Sequence, residues 1–131
     1  MWQRLVLIAF AGACGTLSRY ALSVYLDRWQ NQKNIRFFEI PIGTLSVNLL
    51  GCFIFGFLYA LFATRLASSD TVRQIFLVGF LGSFTTFSTF AYQTGHLAEQ
   101  GNLFGALGNV VLQVALGVTL AYLGILLGRQ I

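Results

Sequence analysis

The sequence predicts an all-α integral membrane protein with four transmembrane helices per subunit. Three observations carry that reading. Hydrophobic residues make up 56% of the 131 positions and charged residues only 9%, against roughly 25% charged in soluble domains. Four apolar stretches, 5–26, 42–63, 74–98 and 103–127, reach the roughly 20 residues that a helix needs to cross about 30 Å of hydrocarbon. Charged residues bound each of them. So few charges argue against a soluble monomer, and the high hydrophobicity excludes a disordered chain. Residues 1–131 read as one four-helix transmembrane domain.

The first span lies between Arg4 and the Asp27–Arg28 pair. Its opening, MWQR followed by LVLIAFAGAC, has the shape of a signal peptide, but the apolar character continues through Leu26 and three more spans follow. It is therefore read as a span. The 27–40 segment, rich in Asn, Gln and charge, is the only long loop. Pro41 suits the first turn of the second helix, where a missing N–H does no harm. The third span runs from after Arg73 to before Glu99, and the fourth ends before Arg129. Trp2, Trp29, Tyr20 and Tyr25 sit near span ends, as interfacial aromatics do. Gly101/Gly105 and Gly124/Gly128 form GxxxG pairs, a spacing that lets helices approach closely in lipid. Four helices hardly enclose a pathway while keeping polar groups off lipid, so a homo-oligomer, most simply a dimer, is expected.

The net charge is +4. The basic residues are scattered singly, as flanks of apolar spans, and do not suggest nucleic acid. With four spans, the N-terminus, second loop and C-terminus share a side that holds Arg4, Arg65, Arg73 and Arg129. The other side holds Arg28, Lys33 and Arg36. Four against three scarcely chooses an orientation under the positive-inside rule. The chain is therefore expected to insert both ways and to pair as an antiparallel, dual-topology homodimer.

Several function classes drop out. Cys14 and Cys52 lie in apolar runs with no CxxC and no flanking His or carboxylate, so they read as free thiols rather than metal ligands or a redox pair. No catalytic set and no phosphate loop accompanies the lone His96, and the protein is not expected to be an enzyme. No acidic residue lies deep in a span, which argues against a proton-coupled exporter with an intramembrane carboxylate as carrier.

The polar residues inside the spans remain. Arg19 either snorkels to the headgroups or forms an electropositive vestibule; a centred Arg costs about 2.5–3.5 kcal/mol on insertion scales. Thr44 and Asn48 lie four apart on one face of the second helix, as do Asn109 and Gln113 on the fourth. Both pairs read equally as interhelical hydrogen-bond glue or as polar lining. The third span holds the most distinctive stretch, GFLGSFTTFSTF over 79–90. Glycines and hydroxyls interrupt an apolar helix there at mid-membrane depth, and a broken helix is tolerated in a membrane only inside protein or a wet cavity. Broken helices expose backbone dipoles that commonly coordinate ions. Phe87 and Phe90 share a face, and aromatic edges are electropositive. A small-ion pathway and plain phenylalanine packing both fit these residues.

The segments GACGTLSRY (12–20), GTLSVNLLG (43–51) and GFLGSFTTFSTF (79–90) resemble the Fluc/CrcB fluoride-channel family, and the likeness covers all four spans. TTFSTF at 85–90 is its most specific part. The resemblance implies a passive fluoride channel of the bacterial inner membrane. It implies an antiparallel homodimer with two pores, both subunits contributing to each. It assigns the fluoride-contacting phenylalanines to Phe87 and Phe90, the pore asparagine to Asn48 and the threonine one turn earlier to Thr44. The hydroxyl track falls on Ser88 and Thr89, a fourth-helix polar position on Gln113 and the vestibule arginine on Arg19. A structural sodium ion at the dimer interface falls on the backbone carbonyls of Gly82 and Thr85. Two departures stand out: Gln93 occupies a position where relatives often carry Glu, and Gly117 and Ala121 do not continue the fourth-helix polar track. A proton-coupled exporter and a non-transporting assembly subunit are the competing readings.

Overall fold

The computed structural model describes residues 2–34, 39–64 and 70–131. Arg36 and Arg65, which enter the count of charges by side, lie outside the described residues. Among the described residues, four segments are long and apolar enough to cross a membrane: Trp2–Gln32, Ile42–Thr64, Asp70–Glu99 and Leu103–Gln130. By length and composition the chain is a multi-pass membrane protein.

The first helix runs past Leu26 to Gln32. Its polar end holds the start of the second. Gly43 N–H donates to Asp27 Oδ1 at 2.9 Å, Ile42 N–H donates to Gln30 Oε1 at 3.4 Å, and Gln30 Nε2 donates to Ile40 O at 2.9 Å. The leading N–H groups of a helix have no partner within it, and here the neighbouring helix supplies two. Pro41 opens the second helix, its carbonyl accepting the first helical bond, from Leu45 N–H at 3.2 Å.

Close helix contact rests on glycine. Gly56 of the second helix faces Ala121 O of the fourth segment, while Gly124 and Gly128 face Phe53 O and Phe57 O in return. A Cβ at any of the three would collide with a carbonyl oxygen. The Gly124/Gly128 pair is thus used within the subunit, as small residues are in lipid. The buried core gathers Val47, Phe62, Leu77, Leu81 and Phe84, with Leu22, Ile54, Leu58 and Phe80 against it. It ties the second segment to the first half of the third.

The third and fourth segments are not uniform helices. In the third, Asp70–Arg73 leads into a π-helical stretch, Gln74–Leu81, then one α-turn, Gly82–Phe84. Thr85 (φ −83°, ψ 158°) and Thr86 (φ −148°, ψ 110°) are extended, and helix resumes over Phe87–Glu99. The third segment then turns sharply into the fourth. Gly101 has φ +80°, and Asn102 N–H reaches back to Leu97 O at 2.9 Å, the closing bond of a Schellman turn. Asn102 Oδ1 caps the next helix by accepting from Gly105 N–H at 2.9 Å. The fourth segment also carries a π-helical stretch, Leu112–Leu116, between Leu103–Val111 and Gly117–Gln130.

Candidate functional site

The site is built around the two extended residues. An extended peptide needs partners that the helical ladder no longer supplies, and Asn48 supplies them for Thr86. Thr86 N–H donates to Asn48 Oδ1 at 2.8 Å, and Asn48 Nδ2 donates to Thr86 O at 3.1 Å. The second Asn48 N–H goes to Gln113 Oε1 at 2.8 Å. One side chain on the second helix therefore joins the third and fourth segments. In an unbroken helix Thr86 N–H would bond Gly82 O; given to Asn48, it leaves that carbonyl without its helical donor. The extended ψ of Thr85 likewise turns its carbonyl out of the ladder.

Thr86 also caps the helix that follows. Its Oγ1 accepts from Thr89 N–H at 3.3 Å, lies 2.9 Å from Thr89 Oγ1 and 3.4 Å from Ser88 Oγ. Hydroxyl residues are favoured at this position because they satisfy an otherwise orphaned donor. The result is a cluster of three hydroxyls at the start of Phe87–Glu99.

Two cavities meet at Thr86. One, of about 530 Å³, is lined by Asn48, Thr85, Thr86, Phe87, Phe90 and Gln113, with apolar walls from the second and fourth segments. The other, of about 360 Å³, is lined by Arg19, Tyr20, Ser23, Thr44, Thr86 and Thr89. Thr44 and Asn48, one turn apart, thus open on different cavities. The rings of Phe87 and Phe90 meet edge to face, with centroids 5.5 Å apart and planes at 66°. Phe90 is buried in the subunit, whereas Phe87 is 77% exposed.

Of the residues singled out in the sequence, Asn48, Phe87, Phe90, Gln113 and Thr85 come together in the larger cavity. Arg19, Thr44 and Thr89 line the smaller one. Ser88 reaches the cluster through Thr86 Oγ1, and Gly82 is exposed on the subunit surface. Asn109, four residues from Gln113, is fully buried and donates to Thr94 Oγ1 at 2.9 Å. Of the departures from the family pattern, Gly117 lies beside the Cys52 Sγ and the Ala121 carbonyl abuts Gly56. His96 is exposed and stacks on Tyr92, with ring centroids 5.9 Å apart. The residue that sequence reasoning missed is Thr86, which lines both cavities and holds Asn48 through its N–H and carbonyl. Its signal was a hydroxyl residue three before Thr89 at a helix start, the capping pattern.

Sequence comparison finds relatives along nearly the whole chain. The model of the family described as CrcB-like protein, Camphor Resistance (CrcB), matches residues 6–125. A protein of Desulforapulum autotrophicum named fluoride-specific ion channel FluC is 46% identical over 131 residues, covering the whole of both chains. One of Magnetococcus marinus with the same name is 44% identical over 124 residues, 95% of this chain and 96% of that one. A third, from Nitrosococcus oceani, is 42% identical over 131 residues and the full length of both. A match of this extent, over all four membrane-crossing segments and the Thr85–Thr86 site they enclose, leaves one conclusion: the chain belongs to the CrcB-like protein family.

Proposed function

We propose that the protein is a passive, fluoride-selective ion channel that lets fluoride leave the cytoplasm. The observation that carries the reading is the agreement between full-length relatives named fluoride-specific ion channels and a cavity furnished for a small anion without a basic side chain in its lining. Fluoride is strongly hydrated, and losing its water is the main barrier to crossing a membrane. A channel must offer replacements that bind well enough to admit the ion and loosely enough to release it. The pathway residues are Phe87, Phe90, Asn48, Thr44, Ser88, Thr89 and Gln113, with Arg19 in the vestibule. Ring edges, amides and hydroxyls all present positive hydrogen to the ion.

The working unit is an antiparallel, dual-topology homodimer with two pores in the bacterial inner membrane. Support comes from the balance of basic residues and from the subunit's own surface. The larger cavity opens beside the exposed Phe87, and irregular backbone at membrane depth must be covered by protein or water. The third membrane-crossing helix is broken at Thr85–Thr86, at the level where the two subunits meet. The Gly82 and Thr85 carbonyls would hold a structural sodium ion there. Those two carbonyls, released from the helical ladder as described, suit a hard cation that prefers oxygen ligands; when bound, the ion adds a fixed positive charge on the axis.

The experiment is fluoride efflux from liposomes holding the purified protein. A channel dissipates a fluoride gradient once an ionophore supplies counter-charge, with no proton gradient. Efflux that stops without a proton gradient overturns the channel in favour of an exporter. Absence of any flux favours a scaffolding subunit. Accessibility mapping that places every N-terminus on one side overturns dual topology.

A further inference from the structure

We infer that Arg73 is a second collecting charge for the anion, standing at the end of the larger cavity away from Arg19, and that Tyr59 is the positioning residue that holds it there. The inference rests on the proposed channel function and concerns where the ion enters and leaves. The two cavities that meet at Thr86 lead to opposite ends of the bundle. The smaller one follows the first helix from Thr16 to Ser23 and meets the second near its start, at Thr44. The larger one follows the second helix from Asn48 to Tyr59 and the fourth segment from Gln113 to Ile125. At a rise of about 1.5 Å per residue, Tyr59 lies about 16 Å along the helix from Asn48, which brings the cavity close to the helix end at Thr64.

Arg73 stands at that end. It closes the short opening helix of the third segment, Asp70–Arg73, and its guanidinium lies over the Tyr59 ring, 5.7 Å from carbon to centroid. Arginine stacks on aromatic faces through cation–π attraction, so the charge is anchored to a wall of the cavity instead of swinging free among the headgroups. No carboxylate cancels it. Of the four in the chain, Asp27, Glu39 and Glu99 belong to the opposite end of the bundle. Asp70, at the same end, is exposed and forms no ion pair with Arg73 among the described residues. A positive charge at the mouth of a cavity with apolar walls focuses its field inward and raises the local concentration of anions. Arg19 does this for the smaller cavity, which it lines. Each end of the route therefore carries one arginine, with a neutral stretch between them.

The test is fluoride efflux from liposomes of zwitterionic lipid at two ionic strengths, for wild type, Arg73→Gln, Arg73→Lys, Tyr59→Leu and Tyr59→Phe. At about 10 mM salt the screening length is about 30 Å, and at about 1 M it is about 3 Å. The higher strength is reached with the potassium salt of a large organic anion. Arg73→Gln is expected to lose flux roughly three- to tenfold at low salt, the steering that one charge supplies, and to come within twofold of wild type at high salt. Arg73→Lys keeps the charge and is expected to rescue most of the loss. Tyr59→Leu leaves the arginine unanchored and is expected to show a smaller loss, about twofold or more, that salt also removes. Tyr59→Phe keeps the ring face and rescues it. A loss of equal size at both ionic strengths marks a merely structural role and overturns the inference, as does wild-type flux in Arg73→Gln at low salt. If Arg73→Gln fails to assemble, Tyr59→Leu decides by the same two criteria. A wild-type protein without fluoride flux counts against the channel, whereas normal wild-type flux with no salt-dependent loss in Arg73→Gln counts against this inference only.

Discussion

Asn48 holds the Thr86 peptide at both ends, accepting its N–H at 2.8 Å and donating to its carbonyl at 3.1 Å. One amide thus takes the place of two rungs of helix. Asn48→Ala leaves both Thr86 groups and Gln113 Oε1 without their partner. Each orphaned group costs about 1–3 kcal/mol, so a marked drop in the unfolding midpoint of the detergent-solubilised protein is expected. Thr85→Ala is the contrast. It removes the Thr85 Oγ1 bond to Leu81 O, at 3.1 Å, and the methyl that packs over Gly51, leaves no buried partner of Thr86 orphaned, and is expected to cost about 1–2 kcal/mol.

Phe87→Ile and Phe90→Ile both remove an electropositive ring edge and are expected to cut fluoride flux. Their stabilities should differ. Phe87 is largely exposed in the subunit and Phe90 is buried, so only Phe90→Ile should lower the unfolding midpoint of dissociated subunits. Liposome efflux read beside thermal unfolding separates the two effects. Flux unchanged in both variants counts against the pathway.

Gly124→Ala and Gly95→Ala form a matched pair. The first drives a Cβ into Phe53 O, whereas nothing lies within 4 Å of a Cβ at Gly95. Overpacking of this kind costs about 1–3 kcal/mol, and a rigid backbone carbonyl cannot step aside. Gly95→Ala, within the Phe87–Glu99 helix, should instead gain about 0.5–1 kcal/mol. Thermal unfolding by circular dichroism checks both signs.

Asp27 acts as a cap donated by one helix to another. Asp27→Ala is expected to cost about 1 kcal/mol, the worth of an N-cap. Asp27→Asn keeps an oxygen for Gly43 N–H and should lose little. The same unfolding measurement distinguishes a cap from a charge effect, since only a charge effect makes the two variants alike.

The four apolar segments were legible because hydropathy over 20 residues survives any detail of packing. The ends were less so: the first helix runs on to Gln32 because the side chains of Asp27 and Gln30 find partners in the next helix. The sequence spacing put Thr44 with Asn48, and Asn109 with Gln113, on common faces, but a face does not say what it meets. Asn48 and Gln113 are 65 positions apart, and no local pattern joins them. The π-helical stretches were invisible too, since their widened turns depend on packing rather than on residue type. Thr86 lies within the 79–90 motif, but the motif does not single it out from its hydroxyl neighbours. Its weight comes from two extended dihedral angles and a partner on another helix, neither of which composition records.

The extended pair at Thr85–Thr86 has an electrostatic consequence of its own. A continuous helix from Asp70 to Glu99 would place its dipole ends at the two membrane faces. Divided at Thr86, the segment begins a fresh thirteen-residue helix, Phe87–Glu99, whose N-terminal end carries roughly half a positive charge well inside the apolar layer. That partial charge belongs to peptide bonds. It holds no proton to lose, needs no counter-ion and avoids the insertion cost of an arginine at the same depth. A chain with charge on only 9% of its residues thereby sets a positive helix end at Phe87 against the negative carbonyl end of the half before it, a pair of fixed poles that no change of pH titrates.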